Sequence, residues 1–125
     1  MSLEKTFYQN LKLFLKDLVI VFPEDDELMQ FLTTSINLAI IEDTEYEIIN
    51  KFYTSMGPIK DQIYKRDTSI FTLDPGLYWP ISSYEYRLFV KINASWDTFT
   101  PHNQNIMWEY IQLLYTLSDK ILNKK

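Results

Sequence analysis

Apolar residues recur at three- and four-residue steps along most of the chain, a spacing that places them on one side of an α-helix. The first run predicts a helix over 3–22, which ends before Pro23 because the residue before a proline is disfavoured in helical geometry. Lys5, Lys12 and Lys16 fall together on a second face of this helix. Its predicted buried face consists of Leu3, Phe7, Leu11, Phe14, Leu18 and Val21.

A second helix is predicted from just after Pro23 to residue 41. Residues 24–27 are all acidic, and negative charge at this end complements the positive end of the helix dipole. The predicted buried stripe is Leu28, Phe31, Leu32, Ser35, Ile36 and Ala39. Leu38, Ile40 and Ile41 widen this stripe, so the C-terminal end of the helix is expected to be buried on most sides.

Capping and stop signals delimit a third helix. Thr44 with Glu47 matches a capping box, in which two side chains satisfy backbone donors at a helix start. Gly57 followed by Pro58 is a strong stop signal, since proline cannot continue the helix. The sequence therefore predicts a helix that runs to Met56.

The middle of the chain is less regular. A short helix is expected over 58–66, followed by an irregular segment at 67–81. The stretch 82–92 alternates as a strand would, but Ser82 with Glu85 matches a capping box and its apolar residues also fit a helical face. Because no second strand of similar quality is visible, helix is the preferred interpretation.

The last part of the chain carries the clearest helical pattern. A short helical turn is expected over 93–99, and Thr100 followed by Pro101 suits a helix start. The final helix is predicted over 101–123. Its stripe is Met107, Tyr110, Ile111, Leu114, Leu117, Ser118 and Ile121, flanked by Trp108, Tyr115 and Leu122.

These elements predict an all-α, single-domain bundle of four to six helices spanning 1–125, with an irregular central segment at about 67–81. The chain has 2 glycines and 5 prolines, which leaves little turn material for a β-sandwich or barrel. Hydrophobic residues make up 46% of the chain, enough to build a core.

Composition excludes several classes of function. The net charge of −5 lacks the basic footprint of a nucleic-acid binder, so nucleic acid is not the expected partner. The absence of cysteine removes disulfides, thiolate catalysis and cysteine-ligated zinc. No apolar stretch is long enough to predict a membrane span, and no signal peptide is visible. An intracellular location is expected.

No catalytic, metal or cofactor site is predicted. His102 has no evident nucleophile or orienting acid, so a surface residue near the helix start is the preferred interpretation. The acidic run 24–27 lacks calcium-loop spacing and suits the helix dipole better. Gly57 and Gly76 stand alone and cannot form a glycine-rich phosphate loop. The sequence therefore predicts a protein that is not an enzyme and needs no cofactor.

Two groups of residues are candidates for partner contact. The first is rich in the residue types that dominate interface hot spots, although core packing is the preferred interpretation. It consists of Tyr78, Trp79, Tyr84, Tyr86 and Arg87. The second includes Lys12 and Lys16 on the first helix, which could contact phosphate or an acidic partner, with a solvated face as the preferred alternative.

Two stretches resemble a group of short helical proteins encoded by nucleocytoplasmic large DNA viruses of algae and amoebae: 13–24 and 96–117. The shared features are a helix with a Phe-Pro-Glu stop, a Leu-Phe pair before a short helix, and an aromatic closing helix. The residues are Phe22, Pro23 and Glu24; Leu88, Phe89 and Trp96; and Ile106, Trp108, Tyr110, Ile111, Gln112 and Leu114. This resemblance implies a helical fold and a viral origin, and it transfers no site residue.

The expected function is therefore a non-enzymatic interaction or structural protein, a small component of a large DNA virus whose partner is another viral protein or a second copy of itself. The alternatives are a regulatory binding module that acts on a host or viral factor in infected cells, and a weak nucleic-acid binder.

Overall fold

The computed structural model describes residues 2–30, 36–43, 46–81 and 83–123, without the side chains of residues 36, 37, 39 and 84. The regular secondary structure of these residues is entirely helical, which confirms the predicted all-α class. The α-helices are α1 (Leu3–Val21), α2 (Asp26–Gln30), α3 (Ile36–Glu42), α4 (Glu47–Met56), α5 (Lys60–Lys65), α6 (Tyr84–Ser95) and α7 (Pro101–Leu122). Short 3₁₀ turns span Gly57–Ile59, Thr68–Thr72, Pro75–Leu77 and Trp96–Thr98.

The closing helix α7 is the centre of the bundle. It packs along α1 and also contacts α4 and α5. The predicted stripe is confirmed, apart from the half-buried Tyr110. The residues that α7 buries are Met107, Trp108, Ile111, Leu114, Tyr115, Leu117, Ser118 and Ile121. Because three other helices dock on α7, its apolar face organises the core.

Helix α1 buries one side against α7 and leaves the opposite side in solvent. Its start is capped by Ser2, whose hydroxyl accepts a hydrogen bond from the backbone N–H of Lys5 at 3.0 Å. The buried residues are Phe7, Tyr8, Phe14, Leu15 and Leu18, so the buried face is centred slightly to one side of the predicted stripe. Leu3, at the start of that stripe, is exposed.

The predicted second helix falls in two described segments, α2 and α3, and residues 31–35 between them lie outside the described part. The prediction that its C-terminal end is buried on most sides is wrong. Leu38 is 56% exposed and Ile41 is 76% exposed, while Ile40 is half-buried. A helix at the edge of a bundle packs on one side only, and an apolar residue on its outer side remains in water.

The start of α4 is capped by Asp43. Its carboxylate accepts hydrogen bonds from the backbone N–H groups of Glu47 at 2.6 Å and Ile48 at 3.2 Å. It also accepts the hydroxyl proton of Tyr8 in a 2.5 Å hydrogen bond, which ties this helix start to α1. The predicted cap residue, Thr44, lies outside the described residues.

The helix preferred for 82–92 is confirmed over residues 84–92, which belong to α6. The predicted cap Ser82 lies outside the described part, and the hydroxyl of Ser83 accepts the backbone N–H of Tyr86 at 3.1 Å. The cap predicted for α7 is confirmed, because the hydroxyl of Thr100 accepts the backbone N–H of Asn103 at 3.1 Å.

The central segment 67–81, predicted to be irregular, contains regular 3₁₀ turns. Its two 3₁₀ turns are capped by Asp67 and Asp74, whose side chains accept backbone N–H groups two residues ahead. These turns pack on α6. Phe71 is buried there and stacks on Trp96 with ring centroids 3.9 Å apart. Aromatic packing, which sequence periodicity does not reveal, holds this segment in place.

Candidate interaction surface

The structure separates the five residues of the predicted aromatic cluster. Trp79 is 3% exposed and stacks on Phe89, with ring centroids 5.8 Å apart. Tyr78 packs edge-on against the same ring and is half-buried, as is Tyr86. Trp79 is therefore part of the core and offers no surface to a partner.

Arg87 and Tyr84 lie on the first turn of α6. The Nε atom of Arg87 donates to the Oε1 atom of Glu27 at 2.9 Å, so this exposed guanidinium connects α6 with α2. The side chain of Tyr84 lies outside the described residues. Partner contact by the cluster stays a prediction for Tyr78, Tyr84, Tyr86 and Arg87.

Two aliphatic residues beside this cluster are more exposed than its rings. Leu77 is 74% exposed and Ile81 is 73% exposed, on either side of the buried Trp79. Sequence reasoning missed both because it ranked aromatic residues above aliphatic ones. The available signal was their position just after Pro75 and Pro80, because proline-containing turns usually lie at the protein surface.

The solvent side of α1 combines lysines with large aliphatic residues. Lys5, Lys12 and Lys16 are exposed, and on the same side Leu13 is 48% exposed and Ile20 is 72% exposed. At 3.6 residues per turn these five residues fall within an arc of about 100°. We call this set of residues the α1 outer face. The lysines were a predicted candidate, whereas Leu13 and Ile20 were not.

The α1 outer face is positively charged although the chain carries a net charge of −5. The ion pairs of the described residues are Lys51–Glu85, Arg87–Glu27 and Lys91–Asp25, and none involves an α1 lysine. Asp17 of α1 borders this face beside Ile20, and its Oδ2 atom accepts the hydroxyl proton of Tyr110 at 2.8 Å. The five residues of the α1 outer face therefore include no carboxylate, and Asp17 at its border is bonded to Tyr110.

Asp17 also helps to fix α1 to α7 through its hydrogen bond with Tyr110. Burial of Tyr110, together with its hydrogen bond to Asp17, raises the pKa of the phenol to about 12. The ring of Tyr110 lies against that of Phe14, with centroids 5.3 Å apart. Helix α1 is thus held on its inner side by both polar and aromatic contacts, and its outer face is presented in a fixed orientation.

An open groove of about 630 Å³ lies between the α1–α2 turn and the end of α6. The ion pair between Asp25 and Lys91 joins its two sides. Burial opposes ionisation of Asp25, but its hydrogen bonds from Lys91 and from the backbone N–H of Leu28 hold the pKa of the carboxyl below its ordinary value. A carboxylate that stays ionised and whose charge is balanced by a lysine is suited to a structural role rather than to proton transfer.

His102 is exposed on the first turn of α7 and lines a pocket of about 210 Å³ with Asp17 and Ile20. Among the residues that the structure describes, no group of three or more His, Cys, Asp or Glu side chains could hold a metal ion. Over the same residues, no helix combines the length and the apolarity needed to cross a bilayer.

No protein-family model, no curated protein and no solved structure matches the chain.

Proposed function

We propose that this protein is a non-enzymatic interaction or structural protein that binds another protein. The single observation that carries the proposal is the α1 outer face. There, two large aliphatic side chains and three lysines share one side of a helix whose other side is fixed to the core. Following the resemblance at 13–24 and 96–117, we further propose that it is a small component of a large DNA virus, located in host cytoplasm or virion.

The energetics favour a contact at this face. Burying a whole isoleucine or leucine side chain contributes about 1.5–3 kcal/mol, and Ile20 keeps 72% of its surface in water. A partner that covers Ile20 and Leu13, which are 72% and 48% exposed, would recover the share of that energy that the fold leaves unrealised. The fixed orientation of α1 lowers the cost of ordering the surface on binding.

Site-specific photo-crosslinking in the cells that produce the protein tests this role. A photoreactive residue replacing Leu13 should give one discrete protein adduct, and the same residue replacing the exposed Tyr64 on α5 should not. Equal labelling at both positions, or no adduct at position 13, would contradict the proposal. Purified virus particles that contain the adduct would support the structural role.

A second candidate, a regulatory module that acts on a host or viral factor in infected cells, is supported by the exposed Lys12 and Lys16, which form no ion pair with the residues that the structure describes. Its adduct should form in infected cells and be missing from purified particles. A weak nucleic-acid binder would instead show duplex binding that falls steeply with salt. Duplex binding that is undetectable at low salt would exclude that alternative.

A further inference from the structure

We propose that the α1 outer face binds an acidic amphipathic helix of another protein. This inference rests on the interaction role proposed above and names the chemical class of the partner. It is carried by the spacing of the exposed residues, by their charge and by the packing of α1 on its other side.

The spacing of the exposed residues matches the contact line of a helix pair. Leu13, Lys16 and Ile20 follow one another at three- and four-residue steps, and Lys5 and Lys12 extend the line toward the start of α1. Steps that alternate between three and four keep a line of side chains facing a second helix. From Lys5 to Ile20 the line is about 22 Å long at 1.5 Å per residue, so it fits a partner helix of about 15 residues.

Charge selects an acidic partner. The lysines stand on both sides of Gln9 and beside Leu13, and the carboxylate of Asp17, at the border of the face, is hydrogen-bonded to Tyr110. Lysines with long aliphatic stems can cover apolar surface while their ammonium groups reach carboxylates at the edge of a contact. A partner helix with an apolar line flanked by Glu or Asp therefore complements both features of the face.

The same features disfavour other occupants. A second copy related by a two-fold axis would place this face against itself and bring lysines against lysines. Membrane-surface helices insert Trp, Phe and Leu, and the apolar residues of this face are only Leu13 and Ile20. A nucleic-acid duplex is longer than the line of three lysines, so its phosphates would also face the rest of a chain whose net charge is −5 and would be repelled.

A designed peptide provides the probe. It is an 18-residue helix of Leu and Ala along one side with Glu on both flanks, compared with a charge-inverted peptide that carries Lys in place of Glu. Titration by fluorescence anisotropy should give a Kd of about 1–100 μM for the acidic peptide with the full chain, within the range of weak specific contacts. The charge-inverted peptide should bind at least tenfold more weakly.

Variants locate the contact. Lys12→Glu combined with Lys16→Glu should weaken the acidic peptide at least tenfold and should improve binding of the charge-inverted peptide. The matched control, Lys60→Glu with Lys65→Glu on the exposed positions of α5, changes the net charge equally and should alter the Kd less than twofold. Circular dichroism and melting of each variant verify that the helical fold is retained.

Three outcomes would overturn the inference: no binding of the acidic peptide, equal losses in the α1 and α5 variants, or a dimer in light scattering that the α1 variant abolishes. Tighter binding of anionic vesicles or duplex DNA than of the peptide would also overturn it, if the α1 variant loses that binding to the same extent. If the peptide fails while the crosslink at position 13 forms, the interaction role stands and only the partner class is wrong.

Discussion

Replacing Asp43 with alanine is the most informative test of how the helices are joined. The Asp43 carboxylate accepts two backbone N–H groups at the start of α4, and a helix cap of this kind contributes about 1 kcal/mol. It also accepts the hydroxyl proton of the mostly buried Tyr8, and loss of this part-buried hydrogen bond costs about 1–3 kcal/mol. The expected loss in the free energy of unfolding is therefore about 2–4 kcal/mol.

Urea denaturation followed by circular dichroism measures this loss directly, and thermal melting should fall by on the order of 10 °C for a domain of this size. A double-mutant cycle with Tyr8→Phe isolates the contact between the two side chains. Tyr8→Phe alone should cost about 1 kcal/mol, whereas in the Asp43→Ala background it should cost close to zero, because the hydroxyl has already lost its acceptor.

The matched control is Asp74→Ala. The Asp74 carboxylate also accepts a backbone N–H, from Gly76 at 2.9 Å, but within its own 3₁₀ turn. Its removal should cost less than about 1 kcal/mol, as expected for an exposed local cap. A loss below about 1 kcal/mol for Asp43→Ala, or additive effects in the cycle with Tyr8→Phe, would refute the view that Asp43 joins α1 to α4.

Three further substitutions test other parts of the fold. Burial raises the pKa of Tyr110 and of Tyr115 to about 12, so both neutral phenols favour the folded state. That stability should be complete below about pH 10 and should fall as the pH rises from 10 to 12, and Tyr110→Phe should flatten the decline in melting temperature over this range. Leu114→Ala, at a fully buried position, should cost about 2–5 kcal/mol in urea unfolding, whereas the neighbouring Leu113→Ala, at a position 40% exposed, should cost much less. Ser83→Ala removes the cap of α6 and should cost about 1 kcal/mol; an unchanged denaturation midpoint would show that this cap is dispensable.

The sequence predicted the parts of the fold where local and long-range preferences agree. The stripe of α7 follows a helical period, and Thr100 with Pro101 favours a start at the same place, so the helix bounds could be read directly. The segment 82–92 was ambiguous because its residues fit both periods, and the packing of α6 on the 3₁₀ turns decides in favour of helix.

Exposure was harder to predict than helix position. Leu38 and Ile41 lie on an amphipathic stretch, but the amount of surface that neighbouring elements cover is a property of the assembled bundle. The same reason applies to Ile20, which follows the lysines of α1 and was not singled out. Trp79 shows the opposite case, since a residue type common at interfaces is buried here against Phe89.

The role of Asp43 at the start of α4 could not be predicted from local sequence motifs. The capping-box motif points to Thr44, which lies outside the described residues, while the Asp43 carboxylate accepts backbone N–H groups of α4 and also the Tyr8 hydroxyl. That second bond joins residues 35 positions apart, and no local motif encodes it.

The burial of every tryptophan has a practical consequence for spectroscopy. Trp79, Trp96 and Trp108 are each at most 5% exposed, so their indoles report on the interior alone. Emission should shift to longer wavelength only when the core opens and water reaches the rings, and a soluble quencher such as acrylamide should act weakly before that point. Since Trp residues are absent from the α1 outer face, a ligand there should leave the spectrum unchanged. Intrinsic fluorescence thus separates loss of folding from docking at the surface, in one sample and without an added label.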